Sequence, residues 1–126
     1  MNFTFGIITD GNNDNFIIQN IKSIQDNKIK HYEIIIVGNT KINASELIKI
    51  INFDETIKTN WITRKKNIIV EHAQYENIVL MHDYIMFDVN WYEGFTKFGN
   101  DFDICVNKIF NKDGTRYRDY TLFPFF

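Results

Sequence analysis

The sequence has few of the residues that staple, interrupt or anchor a chain. Its 126 residues include one cysteine, Cys105, one proline and six glycines. A lone cysteine excludes an internal disulfide framework and a cysteine-only zinc site. No G-x-x-x-x-G-K or G-x-G-x-x-G run occurs, which disfavours a P-loop NTPase and an ordinary dinucleotide-binding domain. Positive charge is not in excess: 14 Lys and Arg against 16 Asp and Glu give a net charge of −2, and the pI is about 5.9. That is not the basic footprint of a duplex-DNA binder, and no nucleic-acid partner is expected. No apolar run approaches the ~20 residues of a membrane span. The start, Met1-Asn2-Phe3-Thr4, lacks the basic region and cleavage motif of a secretory signal. The expectation is a cytoplasmic protein without a transmembrane segment. Spacing reveals no Ser-His-Asp or Cys-His arrangement.

What is present is isoleucine and asparagine, 22 and 16 residues against only 3 leucines. The codons of both are AT-rich, so part of this bias reports base composition and not structure. With 44% hydrophobic and 16% aromatic residues, the chain can bury a core, and its length suits one domain over residues 1–126.

Apolar runs and helical spacings alternate along the chain. Phe3 to Thr9 predicts a strand stopped by the turn residues Asp10-Gly11-Asn12-Asn13. Asn13 or Asp14 can cap a helix whose buried face carries Ile17, Ile21 and Ile24. Tyr32 to Val37 is a continuous run that suits a strand covered on both faces. Ala44 to Ile51 predicts a short helix, and Thr56 to Ile62 a further strand. Thr63 is placed to cap a helix from Arg64 to about Gln74. Ile78 to Met81 predicts a buried strand ending at His82-Asp83. Asn90 can cap a helix with Trp91, Phe95 and Phe98 on one face. Ile104 to Phe110 reads as a strand with Cys105 as a small core residue, followed by the turn Asn111-Lys112-Asp113-Gly114. The expected fold class is α/β, three layers around a mostly parallel sheet.

Ligands of such sheets sit outside the C-terminal strand ends. Three polar clusters fall there: Thr9-Asp10, Gly38-Asn39 and His82-Asp83-Tyr84. Asp10 and Asp83 are candidates for a ribose or a metal-diphosphate, and Asp10 also suits a simple Asx turn. His82 and Asp83 could both ligate a divalent metal only if the strand has ended, because strand neighbours point to opposite faces. Thr63-Arg64-Lys65-Lys66-Asn67 sets cations at a helix start, against the helix dipole. A bound diphosphate would compensate them, and so would a solvated basic turn. Arg116 to Tyr120 is a second cationic, aromatic patch.

Four segments in this order resemble the nucleotide-binding half of family-2-like glycosyltransferases, which have the GT-A fold. Phe5-Gly6-Ile7-Ile8-Thr9-Asp10-Gly11 resembles their opening strand, and Glu33-Ile34-Ile35-Ile36-Val37-Gly38-Asn39-Thr40 their E-I-I-x-V-D-D-x-S strand. Lys65-Lys66-Asn67 with Ala73 resembles their R-N helix. Ile78 to Tyr84, with Asn90-Trp91, resembles the D-x-D strand and the P-x-W helix after it. The match covers about residues 3 to 95. It implies a nucleotide-sugar donor, UDP-linked by preference, and a glycan, lipid or protein acceptor. It also implies Mn²⁺ or Mg²⁺ as cofactor. The residues it implies are Thr9, Asp10 and Asn39 for the nucleoside, Asp83 with His82 for metal or diphosphate, and Lys65 or Lys66 for phosphate charge.

Two departures accompany the resemblance. Gly38-Asn39 stands where the family has two aspartates, and His82-Asp83-Tyr84 where it has D-x-D. An asparagine oxygen still accepts the N3–H of uracil. No catalytic base is legible. The apolar end, Leu122 to Phe126, suggests a truncated domain or a docking surface. A phospho-receiver domain fits the length and Asp83, but lacks the acidic pair after the first strand and a lysine ending the last. The remaining rival is a non-catalytic nucleotide-binding or protein-interaction domain that keeps the fold.

Overall fold

The computed structural model describes residues 1–117. Seven elements follow one another: β1 (Phe3–Ile8), α1 (Asp14–Asp26), β2 (Tyr32–Val37), β3 (Ile48–Ile51), α2 (Ile62–His72), β4 (Asn77–His82) and α3 (Trp91–Phe98). The four strands form one sheet in the order β3-β2-β1-β4. Every pairing is parallel, so the α/β architecture with a parallel sheet is as expected. No helix among the described residues is long and apolar enough to cross a membrane.

Strand alternation sorts the core into two layers. Phe3, Phe5 and Ile7 of β1 join Ile34, Ile36 and Met81 under α1, whose Ile17, Ile21 and Ile24 are all buried there. Trp91, Tyr92 and Phe95 of α3 pack on the same side. Trp91 meets Phe3 with ring centroids 5.2 Å apart and Phe87 at 4.9 Å. Such edge-to-face pairs each add about 0.5–1.5 kcal/mol beyond area burial. The opposite face carries Ile8, Ile35 and Val37 against Ile69 of α2. Ile7 and Ile35 are fully buried, and Val79 partly so.

Three expectations are corrected. Ala44 to Ile51 is not a helix: its end is β3, paired with Ile34–Val37 of β2. The β-branched Ile48, Ile50 and Ile51 suit that open edge, and pairing there outweighs helix propensity. Thr56 to Ile62 is not a strand, because Asp54 Oδ1 accepts from the Thr56 N–H at 2.9 Å and from its hydroxyl at 2.5 Å. Side-chain capture of the backbone in this way competes with a ladder. Among the described residues, Ile104 to Phe110 forms no strand and makes one isolated antiparallel bridge, Phe110 to Arg116, and Cys105 is half-exposed and not a strand core residue. Trp91, Phe95 and Phe98 share one face of α3, with ring centroids 5.1 Å and 6.0 Å apart in succession, and Phe98 at its end is 65% exposed. The turn at Asn111–Gly114 is present, closed by Gly114 N–H to Asn111 O at 2.9 Å. The apolar end and residues 118–120 of the second cationic patch lie outside the described residues.

Gly6 sits where α2 crosses β1. A Cβ there would lie 2.5 Å from Ile69 Cγ2 and 2.8 Å from its Cδ1. Ile69 is fully buried, so it has nowhere to retreat. At the other end of the sheet, Glu33 is buried within β2. Its Oε1 accepts from the Thr4 hydroxyl and from the Gln74 N–H, each at 2.7 Å. Its Oε2 has Lys49 Nζ 3.2 Å away as ion-pair partner, without hydrogen-bond alignment. Burial alone would raise the Glu33 pKa. The bonds from Gln74 and Thr4 and the charge of Lys49 outweigh it and hold the carboxyl below its ordinary range.

Two outcomes follow for stability. Gly6→Ala gains about 0.4–1 kcal/mol from a stiffer unfolded chain, but overpacking against Ile69 costs about 1–3 kcal/mol. Urea denaturation is expected to show net destabilisation, and adding Ile69→Val should recover only part of it, because valine keeps the Cγ2 methyl that the new Cβ meets at 2.5 Å. For Glu33 the native pKa is depressed. Its contribution is therefore full above the ordinary value of 4.5 and is lost as pH falls through the lower native value. Glu33→Gln should be less stable than the parent at neutral pH, with a shallower loss below pH 4.5 on acid titration followed by circular dichroism.

Candidate functional site

The parallel register brings three strand ends to one rim. Ile8 of β1 pairs with Val37 of β2 and with His82 of β4. The next residues, Thr9, Gly38 and Asp83, leave the sheet together at its C-terminal edge. Thr9, Asp10, Asn39, His82 and Asp83 therefore share that edge. Lys65, in the first turn of α2, reaches it as well: its Nζ donates to the Thr9 carbonyl at 2.9 Å.

Thr9 and Asp83 form the buried centre of the rim, 4% and 5% exposed. The Thr9 hydroxyl donates to Asp83 Oδ2 at 2.8 Å and accepts from the Gly11 N–H at 3.1 Å. Asn13 Nδ2 donates to Asp83 Oδ1 at 3.2 Å and Oδ2 at 3.1 Å. Asn13 occupies the N-cap position of α1, yet its side chain makes no cap and serves Asp83 instead. Sequence reasoning singled out Asn13 only as a cap, and no spacing signal marks a partner 70 residues away.

Each cation in the first turn of α2 has a different fate. Arg64 pairs with Glu71 at 2.9 Å on the surface, where such pairs contribute at most about 1 kcal/mol. Lys65 is 3% exposed and is ion-paired with Glu55. It also lies 5.0 Å from the centre of the Phe53 ring. Glu55 is a rim residue that the sequence did not reveal. Among the described residues, Lys66 makes no hydrogen bond or ion pair. It lies close enough to His82 to act on its charge. Thr63 lies inside α2 and Trp61 takes the cap position, so no side-chain cap forms.

His82 and Asp83 diverge because β4 runs through His82. Asp83 turns toward Thr9 and Asn13. His82 pairs with Ile8, which packs under α2, so its ring lies on the α2 side. There it stacks on Tyr84, rings 5.5 Å apart and 5° from parallel. Burial lowers the His82 pKa, the Lys66 ammonium lowers it further and Asp83 opposes. The ring is therefore neutral at neutral pH, with one N–H to give. Burial raises the Tyr84 pKa, helped by Tyr117 and Asp83, so the phenol keeps its proton.

The outer rim is more open. Asp10 is exposed and forms the Asx turn, with Oδ1 accepting from the Asn12 N–H at 3.0 Å. Asn39 is also exposed, and its Oδ1 accepts from the Phe53 N–H at 3.4 Å. Asp14 accepts from the Thr40 hydroxyl at 2.7 Å and the Lys41 N–H at 3.0 Å, tying α1 to the loop after β2. A depression of about 280 Å³ lies between that loop and Gly11–Phe16, slightly below the ~300–1,000 Å³ usual for ligand pockets.

The residues present do not fit a divalent cation held by the protein. Among the described residues, no group of three or more His, Cys, Asp or Glu side chains is close enough to hold one. Asp83 accepts three hydrogen bonds from neutral donors, and His82 faces the other way.

Asp83→Ala would leave the buried Thr9 hydroxyl and the Asn13 amide without their acceptor. The expected loss is about 1–3 kcal/mol. Asp10→Ala, at an exposed turn, is expected to stay within about 0.5 kcal/mol. Chemical denaturation of the two variants side by side measures the contrast. Equal losses would show that Asp83 is not the tie between the β1 and β4 loops.

Compared with known proteins, the chain matches no family model, no curated protein and no solved structure.

Proposed function

We propose that the chain is a glycosyltransferase donor-binding domain of GT-A type, taking a nucleotide-sugar at the C-terminal rim for transfer to an acceptor hydroxyl. The observation that carries this reading is the parallel sheet whose strand order reverses at β1 and β4, with Thr9, Asp10, Asn39 and Asp83 at one edge. Open α/β sheets bind ligands at such a switch point. A UDP-linked donor suits the groups there. The second lone pair of Asn39 Oδ1 can accept the uracil N3–H. The second oxygen of Asp10 suits a ribose hydroxyl. Thr9 holds the loop that carries Asp10 and contributes through position, since its own polar atoms are engaged.

In the reaction, the acceptor oxygen bonds to the anomeric carbon while the bond from that carbon to the diphosphate breaks. The nucleoside diphosphate leaves with the electron pair, and the acceptor hydroxyl gives up its proton to water. Negative charge grows on the diphosphate, and positive groups at the rim stabilise it. Asp113 is an ordinary turn residue, its Oδ1 accepting from the Thr115 N–H at 2.9 Å and hydroxyl at 2.6 Å, so no acid or base role is assigned to it.

A second reading is favoured by one specific observation. Asp83, the carboxylate left in the D-x-D-like segment, is occupied in holding two loops together. That is what a non-catalytic protein-interaction domain retaining the fold would keep.

A thermal-shift panel of UDP, GDP, CMP and ADP, each with and without Mn²⁺, separates the two. A ligand that binds only the folded chain raises stability by about 2.7 kcal/mol at a hundred times its Kd. The donor reading expects UDP to raise the melting temperature most. No shift with any nucleotide would sink it in favour of the interaction domain.

A further inference from the structure

The following rests on the donor reading and concerns the anion of that ligand. We propose that the diphosphate is held by the Lys66 ammonium and the His82 ring N–H, with no divalent cation bridging it to Asp83. The argument is a census of donor capacity at the rim. The Asn13 amide is committed to Asp83. The Thr9 hydroxyl spends its one proton on the same carboxylate. Lys65 is buried, neutralised by Glu55 and bonded to the Thr9 carbonyl. Arg64 is paired with Glu71. The Lys41 ammonium has no hydrogen bond or ion pair among the described residues, but it is exposed and lines the depression beside α1. On the α2 side Lys66 is left, half-buried in the same turn as Lys65 and without a hydrogen bond or ion pair among the described residues.

The position of Lys66 supports the assignment. It follows Lys65, whose ammonium reaches the Thr9 carbonyl, in the first turn of α2, and α2 packs on the face of the sheet that carries His82, away from the Asp83 carboxylate. His82 is fixed against Tyr84 by ring stacking, and neither ring nitrogen has a hydrogen-bond partner among the described residues. An ammonium and a ring N–H on one side of a strand end, turned away from the carboxylate, recognise a phosphate oxygen by charge and direction together. Tyr84, stacked on His82, is about half exposed and flanks them at the surface.

The test uses the full chain and NMR titration with UDP and with uridine, each in EDTA and in Mn²⁺. UDP should bind in EDTA. Lys66→Ala should weaken UDP about tenfold to a hundredfold, the usual range for a hydrogen bond to a charged group. Uridine binding should not change. Lys66→Arg should keep most of the UDP affinity, and the melting temperature of Lys66→Ala should equal the parent's, because no partner is lost. UDP binding that vanishes in EDTA, returns with Mn²⁺ and ignores Lys66→Ala would overturn this proposal and leave the donor reading standing. Equal weakening of uridine and UDP would place Lys66 under the nucleoside and overturn it as well. Binding of neither ligand would overturn both.

Discussion

Every polar atom of Thr9 is engaged, and the rim depends on it. Its N–H donates to Val37 O at 3.1 Å, which fixes β1 to β2 beyond the ladder. Its carbonyl takes the Lys65 ammonium, which fixes α2. Its hydroxyl donates to Asp83 and receives the Gly11 N–H, which fixes the β4 end and closes the β1 turn. A buried threonine with loose bonds would cost several kcal/mol, whereas a fully satisfied one specifies a single arrangement. A rim tied from four directions is preorganised. A ligand landing on it orders little of the chain, and that saves the entropy that flexible loops lose on binding.

The same residue explains why the end of β2 differs from the pattern it resembles. Gly38 has φ of 139°, and a Cβ there would sit 2.1 Å from the Thr9 carbonyl and 2.7 Å from its Cγ2. Gly11 has φ of 96°, and its Cβ would meet the Asn39 carbonyl at 2.3 Å. The turns after β1 and β2 thus touch backbone to backbone at two glycines. An aspartate in place of Gly38 could enter only by pushing Thr9 away from Asp83 and Lys65. The absence of an acidic side chain at position 38 is a consequence of this close packing.

How much was legible in the sequence varied with how local the determinant is. β1, β2 and β4 were plain as apolar runs, and α1 as the spacing of Ile17, Ile21 and Ile24. β3 was not. Ile48-Lys49-Ile50-Ile51 is too short to carry a period, and the open edge of β2, a tertiary fact, decides it. Ile104 to Phe110 has strand composition, but Trp91 Nε1 donates to Asn107 at 3.2 Å and the segment follows α3. Strand ends are local, so Thr9, Asp10, Asn39 and Asp83 were correctly placed at one rim. Their partners, Asn13 and Glu55, come from loops whose approach no one-dimensional pattern encodes.

Strand alternation then divides the charge of the rim between the two faces of the sheet. Asp83 is satisfied by neutral donors, so its negative charge is directed but not cancelled. Asp14 is handled in the same way, by a hydroxyl and a backbone N–H. Both lie on the α1 side, where Lys41 lines the same depression as Asp14. On the α2 side, Lys65 cancels Glu55, and Lys66 remains as a surplus cation beside a neutral imidazole. Reversing the parity of β4 by one residue would swap His82 and Asp83 between the faces. It would set the carboxylate beside Lys66 and remove both the surplus charge and the tie to Thr9. One residue of register in β4 thus sets both the stability of the rim and which face of the sheet carries its carboxylate.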